Sequence, residues 1–265
     1  MASLLKEERQ ELILNLLRNN RQVTVSELSE RFDVSEVTIR RDLRELAEQG
    51  HLQRAHGGAV APPEGPPDPP VVQRMNVERP YKEAIARATL ALIEEGETIF
   101  IGAGSTTAHL ARQLTSYQDL TVVTNALNIA NELVAAEGVT IVVTGGILHK
   151  PELSLIGHIA DQALREVLVD KVIIAIPAIS LEAGLTNDYL PEVMTDRSIL
   201  KMADELILVA DYTKFGRVEA AFLAPIEQVT TLVTDERIDA QTLEQLQRRG
   251  LNVIVAEVEK KQTVL

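Results

Sequence analysis

The chain has 265 residues, 45% of them apolar and 25% charged, a net charge of −13 and no cysteine. This is an ordinary globular composition, long enough for a small domain beside a larger one. It excludes disulfides and thiolate metal sites, and no window reaches the ~18 apolar residues of a membrane span. The polar start, Met1 to Gln10, is unlike a secretory signal, and the five histidines show no ligand spacing. The expectation is a cytoplasmic protein with no structural metal, no cofactor and no membrane partner. The charge is uneven. Residues 1–60 hold nine Lys/Arg and ten Asp/Glu, so nearly all the excess negative charge lies beyond them. Any contact with nucleic acid must therefore use a local basic face.

In chain order, the first predicted element is a helix over Lys6 to Asn19, with Leu12, Ile13, Leu16 and Leu17 as its apolar stripe. Thr24-Val-Ser-Glu27 matches a capping box and starts a second helix that ends near Phe32-Asp33. A third helix is capped by Ser35 and ends at Gly50. The short gap between the second and third helices is that of a helix-turn-helix. Leu52 to Val60 reads as a hairpin turning at Gly57-Gly58. Six of the eleven prolines lie between Pro62 and Pro70. A run of this kind continues neither helix nor central strand, so it reads as an extended spacer. The expected organisation is a DNA-binding domain over 1–60, a linker over 61–80 and a larger domain over 81–265.

Within the third helix, a 100° wheel puts Ile39, Leu43, Leu46 and Ala47 toward the core and Arg41 nearly opposite. Val37, Thr38 and Arg41 lead the exposed face at the end a recognition helix directs to base edges. Arg41 suits a bidentate contact to guanine, and Val37 suits a thymine methyl. Arg40, Arg44 and Arg54 suit phosphates, which give affinity without reading sequence. His56 and Gly57 suit a neighbouring backbone. The competing reading is a solvated face on which Arg41, Arg44, Glu45 and Glu48 pair along the helix.

Beyond the linker, Tyr81 to Glu95 is predicted helical. Apolar runs follow at Thr98–Ile101, Leu120–Thr124, Val139–Thr144, Lys171–Ile176, Glu205–Ala210, Thr231–Thr234 and Asn252–Ala256. Helices at Thr107–Leu114, Leu127–Ala136, Ile159–Leu168 and Ala240–Arg249 separate several of them. Runs of Val, Ile and Leu without alternation indicate strands buried on both faces, and their alternation with helices indicates a mainly parallel sheet in an α/β domain. The stretch Gly102-Ala-Gly104-Ser105-Thr106-Thr107 is a strand-to-helix turn suited to an anion: glycines allow close approach, and the opening N–H groups and hydroxyls donate. It lacks the third glycine of a dinucleotide fingerprint and the lysine of a Walker loop. Thr124-Asn125, Gly145-Gly146, Asn187-Asp188, Glu192 and Lys214 also follow strands. In an open parallel sheet such positions converge on one crevice. Lys214 suits a phosphate, and Asn187, Asp188 and Glu192 suit sugar hydroxyls. His149-Lys150-Pro-Glu152 is a further candidate for ligand-selective contacts.

The pattern Leu28…Phe32-Asp-Val-Ser35-Glu-Val-Thr38-Ile-Arg40-Arg41-Asp42-Leu43…Gly50…Arg54-Ala-His56-Gly57-Gly58 resembles the signature of the DeoR family of bacterial transcription regulators. The resemblance extends through Gly-Ala-Gly-Ser-Thr-Thr, Val-Val-Thr-Asn, Thr-Gly-Gly, Gly-Leu-Thr…Glu192 and Ala-Asp211-Tyr-Thr-Lys214-Phe-Gly, and so covers nearly the whole chain. It implies a winged-helix DNA-binding domain and an effector domain similar in fold to ribose-5-phosphate isomerase and CoA transferases. It also implies a phosphorylated sugar or related metabolite as effector. Ile176-Pro177-Ala-Ile-Ser departs from the glycine-rich Gly-Ile-Asp stretch of many members, at a loop bordering the expected pocket. The resulting expectation is a repressor of a carbohydrate-utilisation operon. It would act as a homo-oligomer, a dimer or a tetramer, on a double-stranded DNA operator. The rival reading is an aldose–ketose isomerase of sugar phosphates, with Asp188 or Glu192 as general base; an N-terminal DNA-binding domain argues against it.

Overall fold

The computed structural model describes residues 6–20, 22–48, 51–55, 57–60 and 68–258. His56, Gly50 and the prolines from Pro62 to Pro67 lie outside them. The N-terminal unit runs α1 (Lys6–Asn20), β1 (Gln22–Thr24), α2 (Val25–Phe32), α3 (Glu36–Glu48), β2 (Gln53–Ala55) and β3 (Gly58–Val60). The capping box closes on both sides: Thr24 Oγ1 accepts the Glu27 N–H at 3.2 Å, and Glu27 Oε2 accepts the Thr24 N–H at 3.0 Å. Ile13, Leu17, Leu28, Ile39, Leu43 and Leu46 fill the core, whereas Leu12, read as part of the α1 stripe, is exposed.

The hairpin differs from the predicted one in two respects. Strand β1 adds to it in the order β1-β3-β2. Gly58 also belongs to β3, paired with Ala55 and Thr24, rather than to the turn. A Cβ on Gly58 would lie 2.0 Å from the Val23 carbonyl oxygen, so glycine is needed there for close approach. The turn glycine is Gly57, at φ +81°.

Residues 68–80, predicted as the end of the spacer, fold onto the larger unit. Helix α4 (Val71–Arg74) buries Val71, whose N–H donates to the Pro151 carbonyl at 2.8 Å. The larger unit continues with α5 (Arg79–Leu90), β4 (Thr98–Ile101), α6 (Ser105–Gln113), β5 (Leu120–Thr124), α7 (Leu127–Leu133), β6 (Val139–Val143), β7 (Ile147–His149), β8 (Ser154–Ile156) and α8 (His158–Glu166). After these come β9 (Lys171–Ile174), β10 (Ala178–Ser180), β11 (Gly184–Asn187), α9 (Val193–Ile199), β12 (Glu205–Val209), β13 (Ala221–Ala224), β14 (Thr231–Asp235), α10 (Ala240–Arg248) and β15 (Asn252–Ala256).

The seven predicted apolar runs form one seven-stranded sheet, β15-β14-β12-β9-β4-β5-β6, parallel throughout. Successive residues feed two cores. Phe100, Val172, Leu206 and Leu208 enter one, and Ile99, Ile101, Ile173 and Ile207 enter the other. This is why these strands read as unbroken apolar runs. The order steps outward from β4 to β5 and β6 on one side, and from β9 to β12, β14 and β15 on the other. The direction reverses between β4 and β9, and a crevice opens beyond the strand ends at such a switch point. Two small antiparallel sheets rim it, the hairpin β7–β8 and the sheet β10-β11-β13.

Candidate functional site

Helix α3 turns Val37, Arg41 and Arg44 to solvent, with Val37 at 73% exposure. Ser35 Oγ accepts the Thr38 N–H at 3.3 Å, and the two hydroxyls lie 2.9 Å apart, so both serve the start of the helix. Arg40 pairs with Glu36 at 2.7 Å. The rival pairing along the helix is absent at Glu45, which instead bonds α1 through Lys6 at 2.5 Å and Gln10 at 3.1 Å. Arg41, Arg44 and Arg54 are therefore exposed and form no ion pair with another described residue. The side opposite this face is pinned inside the domain, where the Arg9 Nε donates to buried Asp42 at 2.6 Å.

At the switch point of the large sheet lies a cleft of about 640 Å³. Its floor is the β4–α6 turn, Gly102 to Thr106, faced by Ile174 to Pro177 at the end of β9. A Cβ on Gly104 would stand 2.9 Å from both Ala175 Cβ and Thr107 Oγ1, and one on Gly102 would stand 3.1 Å from Ile174 Cγ2. The turn reaches this position because both residues lack side chains. Ser105 and Thr106 open α6, and neither hydroxyl bonds another described residue.

The cleft has two chemically different walls. On one, Lys214 Nζ reaches Asp68 Oδ2 at 2.6 Å and Arg217 reaches Asp68 Oδ1 at 3.2 Å. On the other, Glu152, Glu192, Asp196 and Asn187 gather with His149, whose ring stacks on Tyr189 with centroids 3.9 Å apart. Arg74 joins the two walls, pairing with Glu152 and approaching Asp68 at 3.9 Å. Burial raises the Glu152 carboxyl above its ordinary range against the pull of Arg74. Burial, followed by the neighbouring Glu192 charge, raises Asp196 well above its own, although Asn187 Nδ2 donates to it at 2.7 Å. Glu192 accepts from Ser154 and lies 3.5 Å from His149 Nδ1. Lys82, beneath Arg74, donates to the Arg74 carbonyl at 2.9 Å, and burial lowers its ammonium to about 8.

Of the sequence-predicted positions, Gly102, Gly104, Ser105, Thr106, Asn125, Asn187, Asp188, Glu192 and Lys214 line the cleft, as do His149 and Glu152. Four others stand behind it. The Thr107 hydroxyl donates to the Gly104 carbonyl at 3.1 Å, and that of Thr124 donates to the Ile101 carbonyl at 2.7 Å. Gly145 and Gly146, at φ +73° and +127°, shape the entry to the β7–β8 hairpin. Residues 78–236 match the family described as the DeoR C terminal sensor domain, and residues 9–64 match the DeoR-like helix-turn-helix domain.

The chain belongs to the DeoR family of transcriptional regulators. Two regulators from this comparison are similar over most of their length. A putative aga operon transcriptional repressor of Escherichia coli O157:H7 is 34% identical over 94% of this chain and 93% of its own. The glycerol-3-phosphate regulon repressor of Escherichia coli K12 is 36% identical over 84% and 88%. A solved D-ribose-5-phosphate isomerase in complex with phospho-erythronic acid is 19% identical over 53% of this chain and 55% of its own, with a TM-score of 0.39. In this DeoR-family chain the sequence reading did not single out Asp68, Arg74, Arg217, Asp196 or Glu219 of the cleft. No local pattern marks Asp68, because its partners Lys214 and Arg217 lie 146 and 149 positions away. Among the described residues no helix is long and apolar enough to cross a membrane.

Proposed function

We propose that this DeoR-family regulator represses a carbohydrate-utilisation operon, and that a phosphorylated sugar or related metabolite bound in the large-domain cleft controls its affinity for operator DNA. The single observation that carries the reading is the two-walled cleft. Its glycine–serine turn and cations suit a phosphate, and its carboxylates and amides suit the hydroxyls of a sugar. The two similar regulators, repressors of an aga operon and of a glycerol-3-phosphate regulon, support the repressor role, and the second supports a phosphorylated ligand.

In this reading the effector contacts are Gly102, Gly104, Ser105, Thr106, Asn125, Asn187, Asp188, Glu192 and Lys214, with Thr107, Thr124, Gly145 and Gly146 shaping the loops behind them. The DNA contacts are Val37, Thr38, Arg40, Arg41, Arg44, Arg54, His56 and Gly57, with Ser35 holding the helix start. The functional division is a head over 1–60, a connection over 61–80 and a sensor over 81–265, working as a homo-oligomer on paired half-sites. The carboxylates that an isomerase would use as a base serve here as acceptors for hydroxyls. A ligand that binds one conformation better shifts the population toward it, and the coupling to DNA is reciprocal.

A thermal-shift panel of pentose, hexose and triose phosphates tests the cleft, because a ligand binding only the folded state raises the melting temperature. One member of the panel is expected to raise it in the wild type and to lose that effect in Thr106→Glu, which puts a carboxylate where the phosphate would sit. A full-sized shift retained in Thr106→Glu would remove the β4–α6 turn from the site.

A further inference from the structure

The carboxylate of Asp68 has an unusual position. It belongs to the segment leading out of the DNA-binding domain, eight positions after Val60, the last residue of β3. Yet it sits in the sensor cleft, with its two oxygens shared among three cations: Lys214 at 2.6 Å, Arg217 at 3.2 Å and Arg74 at 3.9 Å. The three cations come from separate parts of the chain. Arg74 ends α4, Lys214 closes the short turn after β12, and Arg217 stands in the loop before β13. The buried Arg74 Nε has no partner. Burial raises the Asp68 carboxyl, but the Lys214 and Arg217 hydrogen bonds and charges outweigh burial and hold it below its ordinary range. Two prolines, Pro69 and Pro70, stiffen the step from Asp68 to the Val71 anchor on Pro151.

We infer that Arg74, Lys214 and Arg217 form the phosphate-binding triad of the sensor cleft, and that Asp68 is a tethered stand-in for the phosphate which the effector displaces. The inference rests on the effector reading above and adds to it a mechanism of regulation. A carboxylate brings one negative charge and two oxygens, whereas a phosphate ester brings ~1.5–2 charges and three terminal oxygens. The phosphate therefore satisfies three cations better, and the spare Arg74 Nε–H gives it a donor that Asp68 leaves unused. The tether favours Asp68 while the cleft is free, because an intramolecular competitor acts at a high effective concentration. When the phosphate wins, the chain between the wing and the Val71 anchor loses its ion-paired contact with the sensor domain. Occupancy of the cleft thus reaches the DNA-binding domain through one residue.

The experiment uses the full chain and inorganic phosphate as the probe, measured by calorimetry, with melting temperatures confirming that each variant is folded. Asp68→Asn keeps the shape and removes the charge, and Asp68→Ala serves as the second variant. Both are expected to bind inorganic phosphate ~10-fold or more tightly than the wild type, as when a competitor holding about nine-tenths of the sites is removed. Adding Arg217→Ala to Asp68→Asn is expected to abolish the gain. Both single variants are also expected to lose most of the change in DNA affinity that a cleft-binding sugar phosphate produces in the wild type. Equal phosphate affinity in wild type and both variants, or no phosphate binding in any of them, overturns the inference. If the wild type still answers a sugar phosphate by changing its DNA affinity in that event, the effector reading stands and only the role of Asp68 falls.

Discussion

Arg41 carries the most exposed decision in the DNA-binding face. Glu45, its nearest candidate partner one turn on, bonds Lys6 and Gln10 instead, so Arg41 acts on it only through its charge and the guanidinium stays exposed without a close ion pair. Arg41→Ala is expected to cost ~1–3 kcal/mol of discrimination at one base position, measured by titrating single-base variants of a selected binding site; unchanged discrimination would limit Arg41 to phosphate contact. Asp196 offers a second test. Its raised carboxyl keeps a proton in the folded state at pH values where the unfolded chain has lost it. Stability from this group is therefore full below the unfolded value of about 4 and falls as pH rises through the window up to the folded value. Asp196→Asn removes that loss. The melting temperature of the variant relative to wild type is expected to be higher at about pH 7.5 than at about pH 5. A difference that does not vary with pH would show that Asp196 titrates normally.

Helix α3 depends on a partner that its own pattern does not reveal. Asp42 is fully buried, and its ion pair with Arg9 ties α3 to α1 across 33 positions. Breaking a buried pair leaves an uncompensated charge, so Arg9→Ala is expected to destabilise the N-terminal unit by ~3–5 kcal/mol, measured by denaturant unfolding. A cost below ~1 kcal/mol would mean that water or a neighbour replaces Arg9 at once. The helix wheel identified Ile39, Leu43 and Leu46, because apolar spacing is a local signal. It assigned Asp42 to no face of interest, because an acid's burial depends on what approaches it. The strands divide in the same way. All seven strands of the large sheet were legible as apolar runs; the five inner ones are largely buried on both faces, while the edge strands β6 and β15 are only partly buried. Strands β1, β7, β8, β10, β11 and β13 were not, since runs of three or four residues are too short to carry a periodicity. The glycine turn of the cleft was legible because close approach demands Gly102 and Gly104. Asp68, Arg74, Asp196 and Arg217 were not, because only the folded sheet brings them to the cleft.

Across the whole chain the electrostatics divide the labour. A protein of net charge −13 carries a small face with exposed arginines on its helix-turn-helix unit, while the acid-rich remainder encloses its cations in a cleft. Salt sensitivity should accordingly reside in the N-terminal unit. The most direct measurement is a fluorescence-anisotropy titration of the intact protein against duplex DNA selected from a random pool, at low ionic strength. It is run with and without a sugar phosphate that raises the melting temperature. The expected result is sequence-specific binding whose affinity the sugar phosphate changes by ~5-fold or more. Failure to bind any duplex, or an affinity indifferent to a ligand that demonstrably occupies the cleft, would contradict the account.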